Sequence, residues 1–177
     1  YASRQGVIVV SAVGNEGSTK LIYPAAYDCV VGVGAVDQNG TAAWFSQRNS
    51  SVYVTAPGVN IVSLSNTGNS AYAGVGGNKA GQGTSYAAPY VSAAAAVLKQ
   101  YRSSANVEDF MAILRQSATD VGASGYDTSY GYGILNLGDF AAEMKRYYEE
   151  ELIRRFTDIS GHWAEPSIHF CVEAGLF

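Results

Sequence analysis

Hydrophobic positions in this chain fall mostly in short unbroken runs rather than in alternation. Gly6 to Val13 (GVIVVSAV) is apolar and β-branched and closes on Gly14-Asn15-Glu16-Gly17. It predicts a buried strand that ends in a turn. Cys29 to Val36 (CVVGVGAV), closed by Asp37-Gln38-Asn39-Gly40, predicts a second. Val52 to Thr55 and Ile61 to Leu64 predict shorter strands, with a turn over Ala56-Pro57-Gly58-Val59-Asn60 between them. Runs this continuous imply a sheet covered on both faces. Asn66 to Gly83 is rich in Gly, Asn and Ser and without period, which predicts a long irregular loop of the kind that usually serves a function.

The pattern then changes to helices. Tyr86 to Tyr101 is Ala-rich and free of charge until Lys99, so it predicts a helix apolar all round and therefore buried. Pro89 has no N–H for the carbonyl of Ser85, so the first turn is expected to be distorted there. Val107 to Gln116 predicts a helix with Phe110, Ile113 and Leu114 on one face. Asn106 is its expected cap, with Asp109 at the third helical position. Asp139 to Arg155 predicts an amphipathic helix whose Glu149-Glu150-Glu151 and Arg154-Arg155 face solvent. The expected organisation is one domain over 1–150 and a smaller, partial segment over 151–177, with the composition shifting near Phe156.

Composition narrows the class. Of 177 residues, 47% are hydrophobic and 15% charged, which excludes a disordered chain. The net charge is −4 with no basic stripe, so nucleic-acid binding has no electrostatic support. The longest apolar run, Tyr86 to Leu98, falls short of the ~20 residues a membrane span needs. The two cysteines, Cys29 and Cys171, are too few for a disulfide framework and read as separate buried thiols. No Cys/His spacing suits a metal. The chain opens at Tyr1 almost directly into a strand-like run, and is expected to be the C-terminal part of a longer protein.

Two residues carry candidate chemistry. A serine hydroxyl becomes a nucleophile only when a base takes its proton, and a helix N-terminus favours negative charge beside it. Ser85, in Gly83-Thr84-Ser85-Tyr86-Ala87-Ala88-Pro89, sits at such a place, although Thr84 or Ser85 alone also reads as an ordinary helix cap. Asn15 reads as a turn residue, or as an amide donor aimed at an oxyanion.

The ordered set Ile8 to Gly17, Phe45-Ser46, Ala56-Pro57-Gly58-Val59 and Gly83 to Pro89, closed by Gly131-Tyr132-Gly133-Ile134-Leu135-Asn136, resembles the C-terminal half of the subtilisin family of serine proteases. The resemblance covers about Tyr1 to Phe140. It implies an α/β fold, here incomplete, in which a mostly parallel sheet has helices on both faces. It implies Ser85 as nucleophile and Asn15 as oxyanion donor, beside the backbone N–H of Ser85. Ser11, Ala12, Val13 and Gly14 would then form one wall of the pocket for the side chain before the scissile bond. Ile22 would lie near that pocket's floor and make it shallow. Calcium is common in the family, and backbone carbonyls between Glu16 and Asp28 are its conceivable ligands here.

The departures are as informative. The family order is Asp, then His, then Ser, and no histidine precedes Ser85. Tyr86 stands where the family most often has methionine, and Tyr90 where it usually has histidine. The alternative reading is therefore an inactive relative that binds at a cell surface. Finally, Phe156-Thr157-Asp158-Ile159, His162-Trp163-Ala164, Ile168 and Ala174-Gly175-Leu176-Phe177 resemble the opening of an S-layer homology (SLH) domain. That resemblance implies docking onto cell-wall polysaccharide and an extracellular, wall-attached protease that acts on proteins or peptides.

Overall fold

The structure is a computed structural model, and residues 1–63 and 81–155 are described, with side chains through 150. Three strands form one sheet in the order β1 (Val9–Ala12), β2 (Val30–Val36), β3 (Val54–Pro57). Both pairings are parallel, with Val9 opposite Val30 and Val33 opposite Val54. All seven residues of β2 are buried. Successive side chains of a strand point to opposite faces, so both faces of β2 are covered, as its unbroken apolar run predicts. Gly32 is required there because a β-carbon would collide with the carbonyl of Ser51. Beyond β3 the closing segment adds one isolated parallel bridge, Thr55 to Ile134, held by Thr55 N–H to Gly133 O at 2.9 Å and Leu135 N–H to Thr55 O at 2.8 Å.

Helix α1 (Thr84–Tyr101) packs across all three strands through Ala87, Val91, Ala94, Ala95 and Leu98. Its outer face stays exposed at Tyr90 and Val97, contrary to the expectation of a helix buried all round. The sheet covers one face only, and small side chains alone do not bring a second layer. Helix α2 (Val107–Ser117) follows its pattern: Phe110, Ile113 and Leu114 are fully buried, and Phe110 meets Phe140 edge-on at 5.7 Å. The expected cap forms as a reciprocal pair. Asp109 N–H donates to Asn106 Oδ1 at 2.9 Å, and Asn106 N–H to Asp109 Oδ2 at 3.0 Å.

Helix α3 (Leu137–Arg155) begins two residues earlier than its pattern suggests. Asn136 Oδ1 accepts from the N–H groups of Gly138 and Asp139, both at 3.1 Å, which fixes that start. The chain divides into two compact units, 1–140 and 141–177, with the division inside α3. In the second unit Arg146 is bound by Glu143 and Glu150, both at 2.6 Å on the solvated side of the helix. The residues that resemble an SLH opening, 156–177, lie outside the described residues, as does Cys171.

Two further expectations are corrected. Ile61 to Ser63 form no continuous strand: Ile61 makes an isolated antiparallel bridge to Gly81, while Leu64 and the residues from 66 to 80, where a loop was expected, lie outside the described residues. Cys29 is exposed rather than buried, because it sits in the turn just ahead of β2.

Tyr53 joins the segment before β3 to α2 by donating to Met111 O at 2.6 Å. Burial pushes its hydroxyl from 10.0 up to about 12, Tyr132 adding to the rise and Arg115 opposing it. The folded value lies above the unfolded one, so the neutral hydroxyl stabilises the fold. That contribution is present below pH ~10 and is lost as pH rises through ~12. Because Tyr53 is only half-buried, solvent screening reduces the nominal figure to on the order of 1 kcal/mol. Urea unfolding from pH 8 to 12 should show the protein losing that increment, and Tyr53→Phe lacking the loss while being about 1 kcal/mol weaker at neutral pH. Parallel curves for the two proteins would rule this account out.

Candidate active site

Strand β1 ends at Ala12, and Val13 N–H still reaches Val33 O at 3.2 Å. The chain then turns at Gly14, whose φ of 110° lies where side chains are strained. This turn delivers Asn15, which is exposed, to the N-terminus of α1. The cap position there is Gly83, with φ 148° and no side chain to offer. A β-carbon at Gly83 would lie 3.5 Å from Asn15 Nδ2 and 3.7 Å from its Oδ1.

Asn15 acts as a cap supplied from the other end of the domain. Its Oδ1 accepts from Thr84 N–H at 2.8 Å and from Thr84 Oγ1–H at 2.9 Å. Two donors on one side of the amide leave the Nδ2 on the other. Among the described residues Nδ2 has no acceptor, so its N–H groups remain available beside the first turn of α1. Gly14 N–H also approaches Thr84 Oγ1, at 3.3 Å.

Ser85 is the second residue of α1 and is exposed. Neither its hydroxyl nor its backbone N–H has a protein partner among the described residues. It does not cap the helix, and neither does Thr84, whose side chain turns to Asn15 instead. The helix opens with a tight i to i−3 step, Tyr86 N–H donating to Gly83 O at 3.0 Å. Tyr86 is half-buried with its ring against Gly81, and Tyr90 is partly exposed on the outer face of the helix. An exposed hydroxyl, an unpaired N–H and a free amide N–H thus meet at the positive end of a helix of 18 residues.

The remaining expected residues divide. Ser11 and Ala12 are half-buried in β1, and the Ser11 hydroxyl donates to Ala12 O at 3.3 Å. Val13 is fully buried with Ala25 and Val52, so only its main chain can face a substrate. Ile22 is half-buried and leans on the turn: a β-carbon at Gly14 would lie 3.0 Å from Ile22 Cγ1. Two residues matter beyond their reading from sequence. Thr84 matters as the orienting partner of Asn15, and Gln47, fully buried, holds the loop that follows Asn15. A Thr-Ser pair at a helix start was the signal for the first, and for the second there was none.

A cavity of about 420 Å³ lies elsewhere in the first unit, lined by Leu21, Tyr27, Asp28, Tyr53, Tyr126 and Tyr132 among others. It shares no lining residue with the Ser85–Asn15 arrangement, and size alone does not carry chemistry. Among the described residues no three His, Cys, Asp or Glu side chains gather as metal ligands. In the loop from Glu16 to Asp28 the carbonyls of Lys20, Ile22, Pro24 and Tyr27 already accept internal hydrogen bonds. Among the described residues no helix is long and apolar enough to cross a membrane.

Residues 1–133 match the model of the subtilase family. Similar relatives include Subtilisin BL of Lederbergia lenta, 38% identical over 76% of this chain and 46% of its own length. Another is the minor extracellular protease Epr of Bacillus subtilis, 34% identical over 87% of this chain and 23% of its own. The chain thus spans less than half the length of these relatives. Among solved structures, a lanthipeptide protease superposes with a TM-score of 0.64 at 26% identity, over 81% of this chain and 53% of that one. A psychrophilic subtilisin-like protease from an Antarctic Pseudoalteromonas superposes with a TM-score of 0.63 at 19% identity, over 79% and 64%, a likeness of fold alone.

Proposed function

The chain belongs to the subtilase family, and from that premise we propose that it forms the nucleophile-bearing part of a serine endopeptidase. Ser85 is the nucleophile, and Asn15 Nδ2 with the backbone N–H of Ser85 is the oxyanion hole. The observation that carries this is the double hydrogen bond from Thr84 to Asn15 Oδ1, which turns the amide donor toward the open end of α1. The reaction runs as acyl transfer. Ser85 Oγ attacks the peptide carbonyl, its proton passes to a histidine base, and the oxyanion meets donors already oriented. The departing amine takes the proton from that base. Water then repeats the sequence on the acyl-enzyme and releases Ser85. The two histidines of the sequence, His162 and His169, follow Ser85 and lie outside the described residues. The base and its orienting aspartate are therefore assigned to sequence ahead of Tyr1, in the family order.

The half-buried Ile22 against Gly14 supports a shallow pocket, with the main chain of Ser11 to Gly14 as its wall. The tail from Phe156 to Phe177 supports a module over 151–177 that docks on cell-wall polysaccharide, with the peptidase part over 1–150. On this reading the protein lies outside a bacterial cell, attached to its wall. A second reading, a surface protein that binds without cleaving, rests on the absence of a histidine before Ser85.

Peptide hydrolysis by the full-length protein tests both readings. Ser85→Ala should abolish cleavage and reaction with a fluorophosphonate. Asn15→Ala should lower kcat by roughly 10²–10³, the loss seen when one oxyanion donor is removed in a subtilisin, with little change in KM. The 177-residue chain alone should not label at Ser85. No cleavage by the full-length protein would favour the binding protein, and a preference for large aromatic residues would refute the shallow pocket. Sedimentation with purified bacterial walls, with and without residues 151–177, checks the anchor, which fails if both forms stay in solution.

A further inference from the structure

Among the described residues, no strand pairs with the loop that carries Asn15 to hold its backbone. Between Gly14 and Lys20 the chain passes from the end of β1 over the domain surface, and its polar groups still need partners. Many of those partners come from one side chain. Gln47 is fully buried, and its amide is used completely. Its Oε1 accepts from Ser18 N–H at 2.7 Å and from the Ser18 hydroxyl at 3.2 Å. Its Nε2 donates to Glu16 Oε2 at 2.8 Å and to Lys20 O at 3.1 Å. These partners fix which end of the amide is oxygen, because an N–H donates at Ser18 and a carbonyl accepts at Lys20.

The backbone of the same short segment binds the loop as well. Gln47 N–H donates to Gly14 O at 3.3 Å, Arg48 N–H to Ser18 O at 2.9 Å, and Gly17 N–H to Phe45 O at 2.7 Å. Gln47 therefore holds the residue before Asn15 and the residue after it. Its side chain also backs the turn, since a β-carbon at Gly14 would lie 3.0 Å from Gln47 Cγ.

We propose that Gln47 is a positioning residue for the oxyanion donor. It fixes the main chain of Asn15 while Thr84 fixes the side chain, and neither fixes the donor alone. Burying a primary amide in a domain core is costly unless every bond is satisfied. Here all four bonds go to three loop residues within five positions of Asn15. An apolar residue of similar size would fill the same space and release the loop. The proposal rests on the oxyanion-hole reading of Asn15, and names what makes that donor rigid. Gln47 touches neither substrate nor nucleophile, so its effect must pass through Asn15.

That requirement gives the test. In the full-length protein, Gln47→Met should lower kcat by about 10- to 100-fold, a fraction of the loss from removing the donor itself, with KM within about threefold. In an Asn15→Ala background the same substitution should change kcat by less than about threefold, since residues that act as one unit are not additive. Glu16→Ala, at an exposed position, should show a smaller loss of the same kind, about threefold or more, that also disappears without Asn15. It decides the matter if Gln47→Met does not fold. Hydrogen exchange at the Ser18 amide, read by NMR, should be at least ~10-fold faster in Gln47→Met. An unchanged kcat in folded variants, or an equal loss with and without Asn15, overturns the proposal. If Ser85→Ala leaves hydrolysis intact, it is the protease reading that has failed. The Ser18 exchange rate then decides alone whether Gln47 holds the loop.

Discussion

The site depends on one contact across the domain, the two hydrogen bonds from Thr84 to Asn15 Oδ1. They join residues 69 positions apart. A helix that starts at a glycine has no side chain of its own to receive its first N–H groups, and burying those groups without partners is costly. The carboxamide of Asn15 meets that need for Thr84. The same bonds orient the amide, because an oxygen held by two donors leaves the nitrogen facing away from them. Capping the helix and aiming the donor are thus one event. Gly83 suits this start because its φ of 148° is a backbone that side chains rarely adopt, and it brings the chain alongside Asn15.

This contact also explains where sequence pattern fell short. Local preference starts α1 at Tyr86, where the apolar run begins. The structure starts it at Thr84, because the missing cap arrives from the end of β1. Ser85 is consequently a helical residue with a free hydroxyl rather than a cap. The unbroken runs placed β1, β2 and β3 within three residues at each end; β2 and most of β3 are buried as such runs predict, whereas β1 is only half-buried. Ile61 begins a similar run without entering a continuous strand: it bridges to Gly81, twenty positions on, and no local pattern reports that distance.

Polar residues were less legible than apolar ones. The reciprocal cap of α2 was readable because both partners lie within four positions. Gln47 was not, because nothing in the residues beside it marks a buried amide. Its burial follows from the path of a loop 27 to 31 positions away. Cys29 shows the converse: a thiol next to an apolar strand reads as core, yet the turn before Val30 leaves it in solvent.

On the proposed reading, the arrangement separates two tasks that a serine peptidase must perform. Stabilising an oxyanion needs donors that do not move, and among the described residues Thr84 holds the side chain of Asn15 and Gln47 holds its flanks. Moving a proton needs a base, and nothing around Ser85 in the described residues can act as one. A rigid donor set does not require the base in order to form, since no bond that builds it involves the Ser85 hydroxyl. The oxyanion site would then be preorganised by the packing of α1 on the sheet, and only the nucleophile's activation would depend on a group brought from elsewhere. Preorganisation of this kind means that the donors need not reorient when charge develops, which is why dipoles fixed by a fold outperform those of water.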